Sequence, residues 1–526
     1  MAFKNEETYQ RMAVQGNTVA FHSSYEKAAD RLLGQVRGSE IDHPNHIDGK
    51  PRLSDIQFKD LSPGDEEVVV GLFQSSSRED IGDAIRSSKE AFELWSREDW
   101  EVRVRIFERA ADLMRRQKYE LAAAVTLDNG KNRYEAMADV DEAVDFIDYY
   151  CSEMRRHHGF ERMSDPPYPE EEVKVMLRPY GAWAVICPFN FPLAITTGMT
   201  TGALITGNTA VLKPSSSAPL PVYLFYEILA RAGLPDGVLN FMAGPGGEAG
   251  DALAKSPDID GVVFTGSLQV GMDILGTSRS IRQRPVIAEM GSKNPVIVSG
   301  DADLEAAAQG IIASAFGYAG QKCSACSRLL VHASVRDELL ERLVRMAEEL
   351  VVGDPFNEES FLGPVITRRA MDNYLAWSEL GRRDGKVLTG GRRIEEGALT
   401  RGYYVAPTII DGLPSDHELM RRELFVPILC VRSFTTMQEA LTLANDTEFG
   451  LTAGIFSENE VELKYFFDNI EFGVVYANRR RGASTGAMVG GQSFGGWKAS
   501  GSTGKGTGSD HYLQQFLREQ SRTVSR

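Results

Sequence analysis

The pattern of apolar and polar residues changes character near residue 180. Before this point apolar residues recur every three or four positions, which predicts amphipathic helices over 78–95, 102–127 and 133–157. After it, short runs of consecutive apolar residues alternate with helical stretches. Strands that are apolar on both faces, each followed by a helix, are typical of a parallel sheet covered on both sides. The predicted fold class is therefore α/β, with a second α/β unit over about 290–476.

The apolar runs end in residues that are suited to binding a ligand. Ligands of a parallel sheet bind at the carboxyl ends of its strands. Lys213 has the chemistry to hydrogen-bond a ribose or a phosphate, and the start of a helix near Val270 offers N–H groups to a pyrophosphate. The dinucleotide fingerprint G-x-G-x-x-G is missing, so plain turns and a solvated lysine remain the alternative. The predicted strand ends are Pro188–Asn190, Lys213–Ser216, Ala243–Gly247 and Thr265–Ser267.

Composition narrows the class of protein. Hydrophobic residues make up 42% of the 526 residues and charged residues 25%, as in a globular protein. The net charge of −17 argues against a nucleic-acid or anionic-membrane partner. The N-terminus lacks an apolar signal core, and no stretch reaches the ~18 apolar residues of a membrane-spanning helix. Five cysteines in this length do not make a disulfide framework, which predicts a cytoplasmic location.

One cysteine is distinguished by its surroundings. An alanine-rich helix is broken by Gly317 and Gly320 just before Cys323, and glycines let the backbone approach a bound ligand. Neighbouring backbone N–H groups can lower the pKa of a thiol and stabilise an oxyanion that forms beside it. The alternative is a buried cysteine that only fills space in the core. These residues by themselves leave both interpretations open.

Cys323 and Cys326 also form a C-x-x-C motif, which raises the alternatives of a zinc site and a redox-active dithiol. Zinc needs two further ligands at suitable spacing. The remaining cysteines stand singly, at Cys151, Cys187 and Cys430, and no histidine lies close to the pair. The short fold expected around a redox dithiol is missing as well. We therefore expect neither a metal nor dithiol chemistry here.

Six short motifs follow one another along the chain. They are PFNFP at 188–192, LKPS at 212–215, FTGS at 264–267, EMGSKNP at 289–295, GQKCSA at 320–325 and ELFVP at 423–427. In their order and separation they resemble the aldehyde dehydrogenase superfamily, over about residues 45–525. The resemblance implies a Rossmann-type NAD-binding parallel-sheet domain beside an α/β catalytic domain. It also implies oxidation of an aldehyde to a carboxylic acid by hydride transfer to NAD(P)⁺, through a thiohemiacetal and a thioester on cysteine.

The resemblance implies three catalytic residues. Cys323 matches the nucleophile, Glu289 the general base that activates the hydrolytic water, and Asn190 the side-chain donor of the oxyanion hole. The residue types agree with these roles, because a thiolate attacks an aldehyde and still leaves from an acyl group. A carboxylate in apolar surroundings acquires a raised pKa that suits a base. A non-catalytic relative and a cysteine–histidine hydrolase are the alternatives from other classes.

The resemblance also implies a site for NAD, with NADP as the alternative. Lys213 and Ser216 match the pair that faces the adenosine ribose, and Glu423 and Phe425 match residues beside the nicotinamide ribose and ring. Many NAD-specific relatives have glutamate where this chain has Ser216, so a 2′-phosphate would meet less repulsion here. Val426 replaces a usual glycine, which we interpret as a local packing change. The implied cofactor-binding residues are Ile186, Pro188, Lys213, Ser216, Gly246, Gly250, Phe264, Gly266, Ser267, Val270, Gly291, Glu423 and Phe425.

Finer marks indicate a substrate. Residues 324–328, the late loop at 484–496 and the segment 135–150 resemble the branch of the family that oxidises L-glutamate γ-semialdehyde, formed from 1-pyrroline-5-carboxylate, to L-glutamate in proline degradation. In that branch the serine after the cysteine and two N–H groups of the late loop hold the α-carboxylate, two phenylalanines line the aliphatic chain, and a glutamate stands near the entrance. Another semialdehyde or an aliphatic aldehyde is the alternative substrate. The implied substrate-binding residues are Glu142, Phe191, Ser324, Gly486, Ala487 and Phe494.

Pattern and resemblance together predict how the chain is divided. Residues 1–45 form an N-terminal arm, 46–164 and 179–289 the NAD(P)-binding domain, and 290–476 the catalytic domain. A β oligomerisation arm is expected from 165–178 and 500–526. In the family such an arm pairs with a sheet edge of a partner, which implies a homodimer or a higher homo-oligomer. A functional pairing with a proline dehydrogenase is a further possibility.

Overall fold

Helices and strands alternate along most of the chain in the computed structural model, which describes residues 7–38, 40–281, 283–481 and 488–526. The elements up to residue 179 are α1 Glu7–Val14, α2 Thr18–Gly38, β1 Asp42–His43, β2 Asn45–Ile47, β3 Lys50–Arg52, β4 Gln57–Leu61, β5 Val69–Gln74, α3 Arg78–Trp95, α4 Trp100–Arg116, α5 Lys118–Asn129, α6 Arg133–Arg156, β6 Glu161–Ser164 and β7 Glu171–Pro179. Those from 180 to 289 are β8 Ala182–Ile186, α7 Ala194–Ile205, β9 Thr209–Lys213, α8 Leu220–Arg231, β10 Leu239–Phe241, α9 Asp251–Ala254, β11 Gly261–Thr265, α10 Leu268–Ile281 and β12 Val286–Glu289. The remaining elements are β13 Asn294–Val298, α11 Leu304–Phe316, β14 Cys326–His332, α12 Arg336–Glu349, α13 Arg368–Asp384, β15 Lys386–Thr389, β16 Thr408–Asp411, α14 Glu418–Arg421, β17 Ile428–Phe434, α15 Met437–Asn445, β18 Phe449–Gly450, β19 Thr452–Phe456, α16 Glu460–Asn469, β20 Val474–Ala477, β21 Trp497–Lys498 and β22 Leu517–Ser525.

The first large sheet has the strand order β12-β11-β8-β9-β10-β2-β3. Neighbours from β12 to β10 are parallel, and β2 and β3 extend one edge with antiparallel pairing. The parallel α/β sheet predicted from the apolar runs is thus confirmed. Because these strands run in one direction, Ile186, Lys213, Thr265 and Glu289 end on the same edge of the sheet. This edge faces the candidate site.

The second large sheet has the order β15-β16-β17-β14-β13-β19-β20. Its neighbours are parallel apart from β15 and β16, which pair antiparallel. Helix α11 packs on it with a buried face that includes Ile311 and Phe316. The turn with Cys323 lies between the end of α11 and the start of β14. Cys323 lines the same cavity as Ile186, Lys213 and Thr265, so the turn lies beside the carboxyl-end edge of the first sheet.

A three-stranded antiparallel sheet, in the order β22-β7-β6, involves the predicted arm. The long strand β22 pairs with β7 in a register from Leu517 opposite Pro179 to Ser525 opposite Glu171. Strand β6, which lies before the predicted arm segment, joins the same sheet. Residues between 500 and 516 pack elsewhere, since Ser500 Oγ donates to the carbonyl of Gly291 at 2.7 Å. The domain boundaries predicted from the sequence stay predictions.

The helices near the N-terminus follow their local signals with one exception. Helix α3 has the predicted bounds and begins at a capping box, in which Ser77 Oγ accepts from the N–H of Asp80 and the Asp80 carboxylate accepts from the N–H of Ser77. The single helix predicted over 102–127 is wrong. Gln117, at φ −110° and ψ 19°, separates α4 from α5. Among the described residues, no helix is both long enough and apolar enough to cross a membrane.

Candidate active site

Two cavities meet at Cys323. The wider one has a volume of about 580 Å³ and follows the carboxyl-end edge of the first sheet. The narrower one has a volume of about 50 Å³ and is enclosed mainly by apolar side chains. Cys323, Phe264, Thr265 and Met290 line both. A ligand in either cavity therefore reaches the same thiol.

The wider cavity contains the whole of the predicted cofactor set. Its lining is contributed by the ends of β8, β9 and β11, by the Gly246–Gly250 turn and by the first turns of α10. Residues that sequence reasoning missed line it too, among them Asp251 and Lys255. The predicted residues found in the lining are Ile186, Pro188, Lys213, Ser216, Gly246, Gly250, Phe264, Gly266, Ser267, Val270, Gly291, Glu423 and Phe425.

Lys213 is a buried cation at the end of β9. Only 4% of its surface is exposed, and its Nζ donates a hydrogen bond of 2.9 Å to the carbonyl of Pro214. Burial lowers the pKa of this ammonium to about 8. A lysine with one backbone acceptor and a cavity in front of it retains donors for hydroxyl or phosphate oxygens.

Glu423 is held at the other end of the wide cavity by its backbone neighbours. Its Oε1 accepts the N–H of Ser292 at 2.8 Å. A Cβ at Gly291 would lie 2.5 Å from Glu423 Oε2, so only glycine leaves room for this carboxylate. Burial raises the pKa of Glu423 to about 7, against the opposing effects of the Ser292 N–H and of Lys293. Phe425 next to it has a left-handed φ of 58°, a conformation rare for a bulky side chain.

The narrow cavity brings together the substrate-binding residues predicted from the sequence, as far as they are described. Glu142, Phe191, Ser324 and Phe494 line it. Glu142 and Ser324 are each 2% exposed, so Glu142 lies within the cavity wall. Gly486 and Ala487 were also predicted for this site, and they lie outside the described residues.

Glu289 ends β12 and lines the narrow cavity. Its Oε2 accepts one hydrogen bond, of 3.3 Å, from the N–H of Gly496. Burial raises the pKa of Glu289 to about 8, and the Gly496 N–H acts weakly against this effect. A carboxyl with such a pKa accepts and releases protons near neutral pH, as a general base requires.

The turn before Cys323 has an unusual backbone. Tyr318 and Ala319 have φ values of 48° and 51°, in the left-handed region that non-glycine residues rarely occupy. The hydroxyl of Tyr318 donates to the carbonyl of Asn129 at 2.9 Å and anchors the turn. Cys323 itself is partly exposed to the cavities.

Burial and nearby carboxylates raise the pKa of the Cys323 thiol to about 12. After burial, the causes are Glu423, Glu289 and Glu142, while the backbone N–H of Cys323 acts in the opposite direction. The thiol is therefore protonated until a base or a positively charged ligand changes its surroundings.

Asn190 follows β8 in the wall of the wide cavity and is 3% exposed. Its loop is fixed from behind by a fully buried ion pair, in which Lys131 Nζ lies 2.9 Å from Asp139 Oδ2. Asp139 Oδ1 accepts the N–H of Ala194 at 2.7 Å, and Lys131 Nζ lies 3.6 Å from the ring centre of Phe191. The loop with Asn190 and Phe191 is thus held in place by contacts with Lys131 and Asp139.

Several residues of the site were not found by sequence reasoning. Met290 lies inside the EMGSKNP motif, which could have indicated it, whereas Thr265 belongs to the predicted strand end Thr265–Ser267. Met199 on α7 and Tyr512 in the C-terminal segment also line the narrow cavity. The polar residues around Tyr512 in the sequence resemble the rest of the C-terminal tail, so they do not indicate that Tyr512 belongs to the site.

The two cysteines of the C-x-x-C motif have different surroundings. Cys326 is 2% exposed, and its Sγ donates to the carbonyl of Arg328 at 3.5 Å. All five cysteines are free thiols. Across the described residues, no group of three or more His, Cys, Asp and Glu side chains is arranged to hold a metal ion.

The sequence comparisons and the structure comparison indicate the same family of proteins. The model of the aldehyde dehydrogenase family matches residues 52–521. A 1-pyrroline-5-carboxylate dehydrogenase of Geobacillus sp. (strain WCH70) is 37% identical over 517 residues, which cover 97% of this chain and 97% of the relative. The structure of 1-pyrroline-5-carboxylate dehydrogenase from Thermus with bound NAD matches with a TM-score of 0.90 at 36% identity, over 95% of this chain and 96% of that one. Proline utilization A from Bdellovibrio bacteriovorus matches with a TM-score of 0.90 at 33% identity, over 95% of this chain and 52% of its own.

Proposed function

The chain belongs to the aldehyde dehydrogenase family, and from this premise we propose that it oxidises L-glutamate γ-semialdehyde, the open form of 1-pyrroline-5-carboxylate, to L-glutamate with NAD. The observation that carries the proposal is the position of Cys323 between a wide cavity at strand ends and a narrow, aromatic-walled one. Relatives named for this activity, similar over nearly the whole chain, support it.

The donor set of the wide cavity fits NAD. Lys213 and Ser216 would hold the adenosine ribose, Glu423 would accept from the nicotinamide ribose hydroxyls, and the start of α10 would face the pyrophosphate. Gly246 has open space where a Cβ would stand, so the backbone can approach a phosphate closely. When bound, NAD supplies the acceptor for the hydride.

In the first half of the reaction, Cys323 acts as the nucleophile. Its thiol passes a proton to solvent water, and its sulfur forms a bond to the aldehyde carbon to give a thiohemiacetal. The carbonyl oxygen becomes an oxyanion, which accepts hydrogen bonds from the Asn190 amide and the backbone N–H of Cys323. One such donor is typically worth about 3–4 kcal/mol. The carbon then loses its hydride, and a thioester to Cys323 remains.

In the second half, Glu289 takes a proton from a water molecule that attacks the thioester carbon. The C–S bond breaks, the carboxylate leaves, and the thiolate of Cys323 is restored. The pKa of Glu289, raised to about 8, supports its role as the general base. The balance is one aldehyde, one NAD⁺ and one water giving one carboxylate, one NADH and two protons.

The narrow cavity supports a small aldehyde with a polar far end. Phe191 and Phe494 would contact the aliphatic carbons, and Ser324 would donate its hydroxyl to the α-carboxylate. Gly486 and Ala487 would add two backbone donors, as the family resemblance implies. Glu142 would face the ammonium group, because a carboxylate buried in this wall attracts a cation.

Steady-state kcat/KM tests the proposed substrate directly. We expect L-1-pyrroline-5-carboxylate to exceed succinate semialdehyde, propanal and benzaldehyde by about a hundredfold or more, ~2.7 kcal/mol of transition-state binding. Ser324→Ala should raise the KM for the pyrroline about tenfold and leave propanal unchanged, because it removes a hydrogen bond to a charged group. If the wild type turned over propanal equally well, the proposed substrate would be contradicted. The assignment of the catalytic residues would not be affected.

Assembly and partners belong to the same proposal. In the described part of the chain, β22 has a strand neighbour on one side, and residues 518–525 are exposed, which leaves an edge that a second copy can extend. We expect a homodimer or a higher homo-oligomer, and deletion of 517–526 should lower the mass seen by light scattering. The match to about half of proline utilization A supports functional pairing with a proline dehydrogenase. The five free cysteines support a cytoplasmic location.

A further inference from the structure

The turn that carries Cys323 is held by its carbonyl groups. The carbonyl oxygens of Cys323 and Ala325 accept hydrogen bonds from Asn294 Nδ2 at 2.7 Å and 3.0 Å. The carbonyl oxygen of Ser324, between them, accepts one from Thr452 Oγ1 at 3.2 Å. Asn294 begins β13 and Thr452 begins β19, which are neighbouring strands of the second sheet. Two side chains thus tie three consecutive carbonyls to a rigid sheet.

The Asn294 amide has one compatible orientation. Its Nδ2 faces two backbone carbonyls and the Ser292 hydroxyl oxygen, while its Oδ1 accepts the N–H of Thr452 at 3.0 Å. Reversal would set the amide oxygen against carbonyl oxygens and its nitrogen against an N–H group. Asn294 is 1% exposed and Thr452 is 2% exposed, so water does not replace a bond lost here.

Holding these carbonyls also directs the N–H groups of the turn. In a trans peptide the C=O and N–H point in opposite directions, and the described peptide bonds are trans. Asn294 and Thr452 do not bond the peptide between Lys322 and Cys323 directly. Its carbonyl accepts the N–H of Ala325 at 3.1 Å, and this N–H belongs to the peptide whose carbonyl, that of Ser324, is held by Thr452. The N–H of Cys323 remains beside its own sulfur, where it stabilises the thiolate.

We propose that Asn294 and Thr452 are positioning residues that hold the backbone N–H of Cys323 where the oxyanion forms during attack on the aldehyde. This inference rests on the proposed aldehyde chemistry. The linings of the two cavities do not include Asn294 or Thr452, so both act on the reacting atoms through the turn. A preorganised donor needs no reorganisation during reaction, and a misplacement of about 1 Å can cost about a hundredfold in rate.

Thr452 offers the cleaner substitution. Thr452→Val removes the hydroxyl that donates to the Ser324 carbonyl and keeps the shape, and Thr452→Ser restores the hydroxyl. Thr209→Val is the matched control, because Thr209 Oγ1 is also buried and donates to a carbonyl, that of Ser88, at 2.8 Å in the first sheet. Asn294→Ala removes the bonds to the Cys323 and Ala325 carbonyls together with those to Ser292 Oγ and the Thr452 N–H, and it is expected to have the larger effect. The Thr452 pair keeps the test decisive if Asn294→Ala fails to fold.

The readout is the burst of NADH in a single turnover, set against the rate at which iodoacetamide alkylates Cys323. Alkylation uses the same thiolate without forming an oxyanion. A displaced Cys323 N–H therefore slows the burst much more than alkylation, because this N–H is the smallest of the effects on the pKa of the thiol. We expect Thr452→Val to slow the burst ten- to a hundredfold, with alkylation and the KM for NAD⁺ within about threefold and Thr452→Ser near the wild type. An equal fall of burst and alkylation, or an effect no larger than that of Thr209→Val, would overturn the inference.

Using propanal as well as the pyrroline separates this test from that of the proposed function. Wild-type turnover of propanal without turnover of the pyrroline would remove the proposed substrate, and the comparison of variants would proceed with propanal. A wild type without a burst on any aldehyde would remove the aldehyde chemistry, and with it the role inferred for Asn294 and Thr452.

Discussion

The two cavities on either side of Cys323 each contain a partly buried glutamate, Glu423 on the wide side and Glu289 on the narrow side, and these two glutamates are bound differently. On the wide side, Glu423 accepts a short 2.8 Å bond from Ser292 and lies near Lys293, and its pKa is about 7. On the narrow side, Glu289 accepts a longer 3.3 Å bond from Gly496, and its pKa is about 8. Tight tethering suits a carboxylate that accepts fixed hydroxyl donors. Loose tethering suits one that must take up a proton and release it.

The largest effect is expected where the cavities meet. Cys323→Ala removes the only atom that the proposed reaction bonds to the substrate, so kcat should fall by about four orders of magnitude or more, to the residual set by binding and the oxyanion hole. Cys326→Ala is the matched control, because this thiol is buried three residues away. Comparable loss in both variants, measured as NADH formation, would contradict the assignment of the nucleophile.

Glu289→Gln should separate the two halves of the reaction. Steady-state turnover is expected to fall about 10²–10⁴-fold, since a general base typically contributes that much. The first-turnover burst of NADH should persist, because hydride transfer precedes hydrolysis. In the wild type, hydrolysis should rise with pH up to about 8, where the Glu289 base form becomes dominant, and level off above it. A variant that keeps this pH dependence would show that another group is the base.

Glu423→Gln should have a smaller effect than Glu289→Gln, and it should slow the burst rather than the hydrolysis. It keeps the shape of the side chain but weakens the acceptor for ribose hydroxyls, so the burst should slow about tenfold and the KM for NAD⁺ should rise. Thioester hydrolysis should stay within about twofold, since this step uses the narrow side. Stopped-flow absorbance of NADH measures both phases. A selective loss of hydrolysis would mean that the roles of the two glutamates are reversed.

The smallest effect is expected far from the thiol. Ser216→Glu places a carboxylate beside the adenosine ribose, and repulsion should lower kcat/KM for NADP⁺ about tenfold while that for NAD⁺ changes less than about threefold. Ser216→Gln is the neutral control of equal size. Parallel losses with both cofactors would indicate a steric effect.

Local sequence carried much of the fold. The apolar spacing predicts helix α3 with its observed bounds, and the structure adds a capping box at its start; both act within a few residues. The break at Gln117 was not predicted, because apolar spacing of a helical kind continues through it and only packing turns the chain there. The catalytic and cofactor residues came from short motifs, whose order matches a family.

What the sequence alone determined is therefore the class of the sheets, the identity of the reactive cysteine and most of the residues around it. The tertiary structure decided which distant groups share a contact. Met199 and Tyr512 line one cavity with Cys323, and Asn294 and Thr452 hold one turn. Helix and strand signals depend on neighbours in the chain, whereas these contacts depend on how two sheets and a tail pack, which no local pattern encodes.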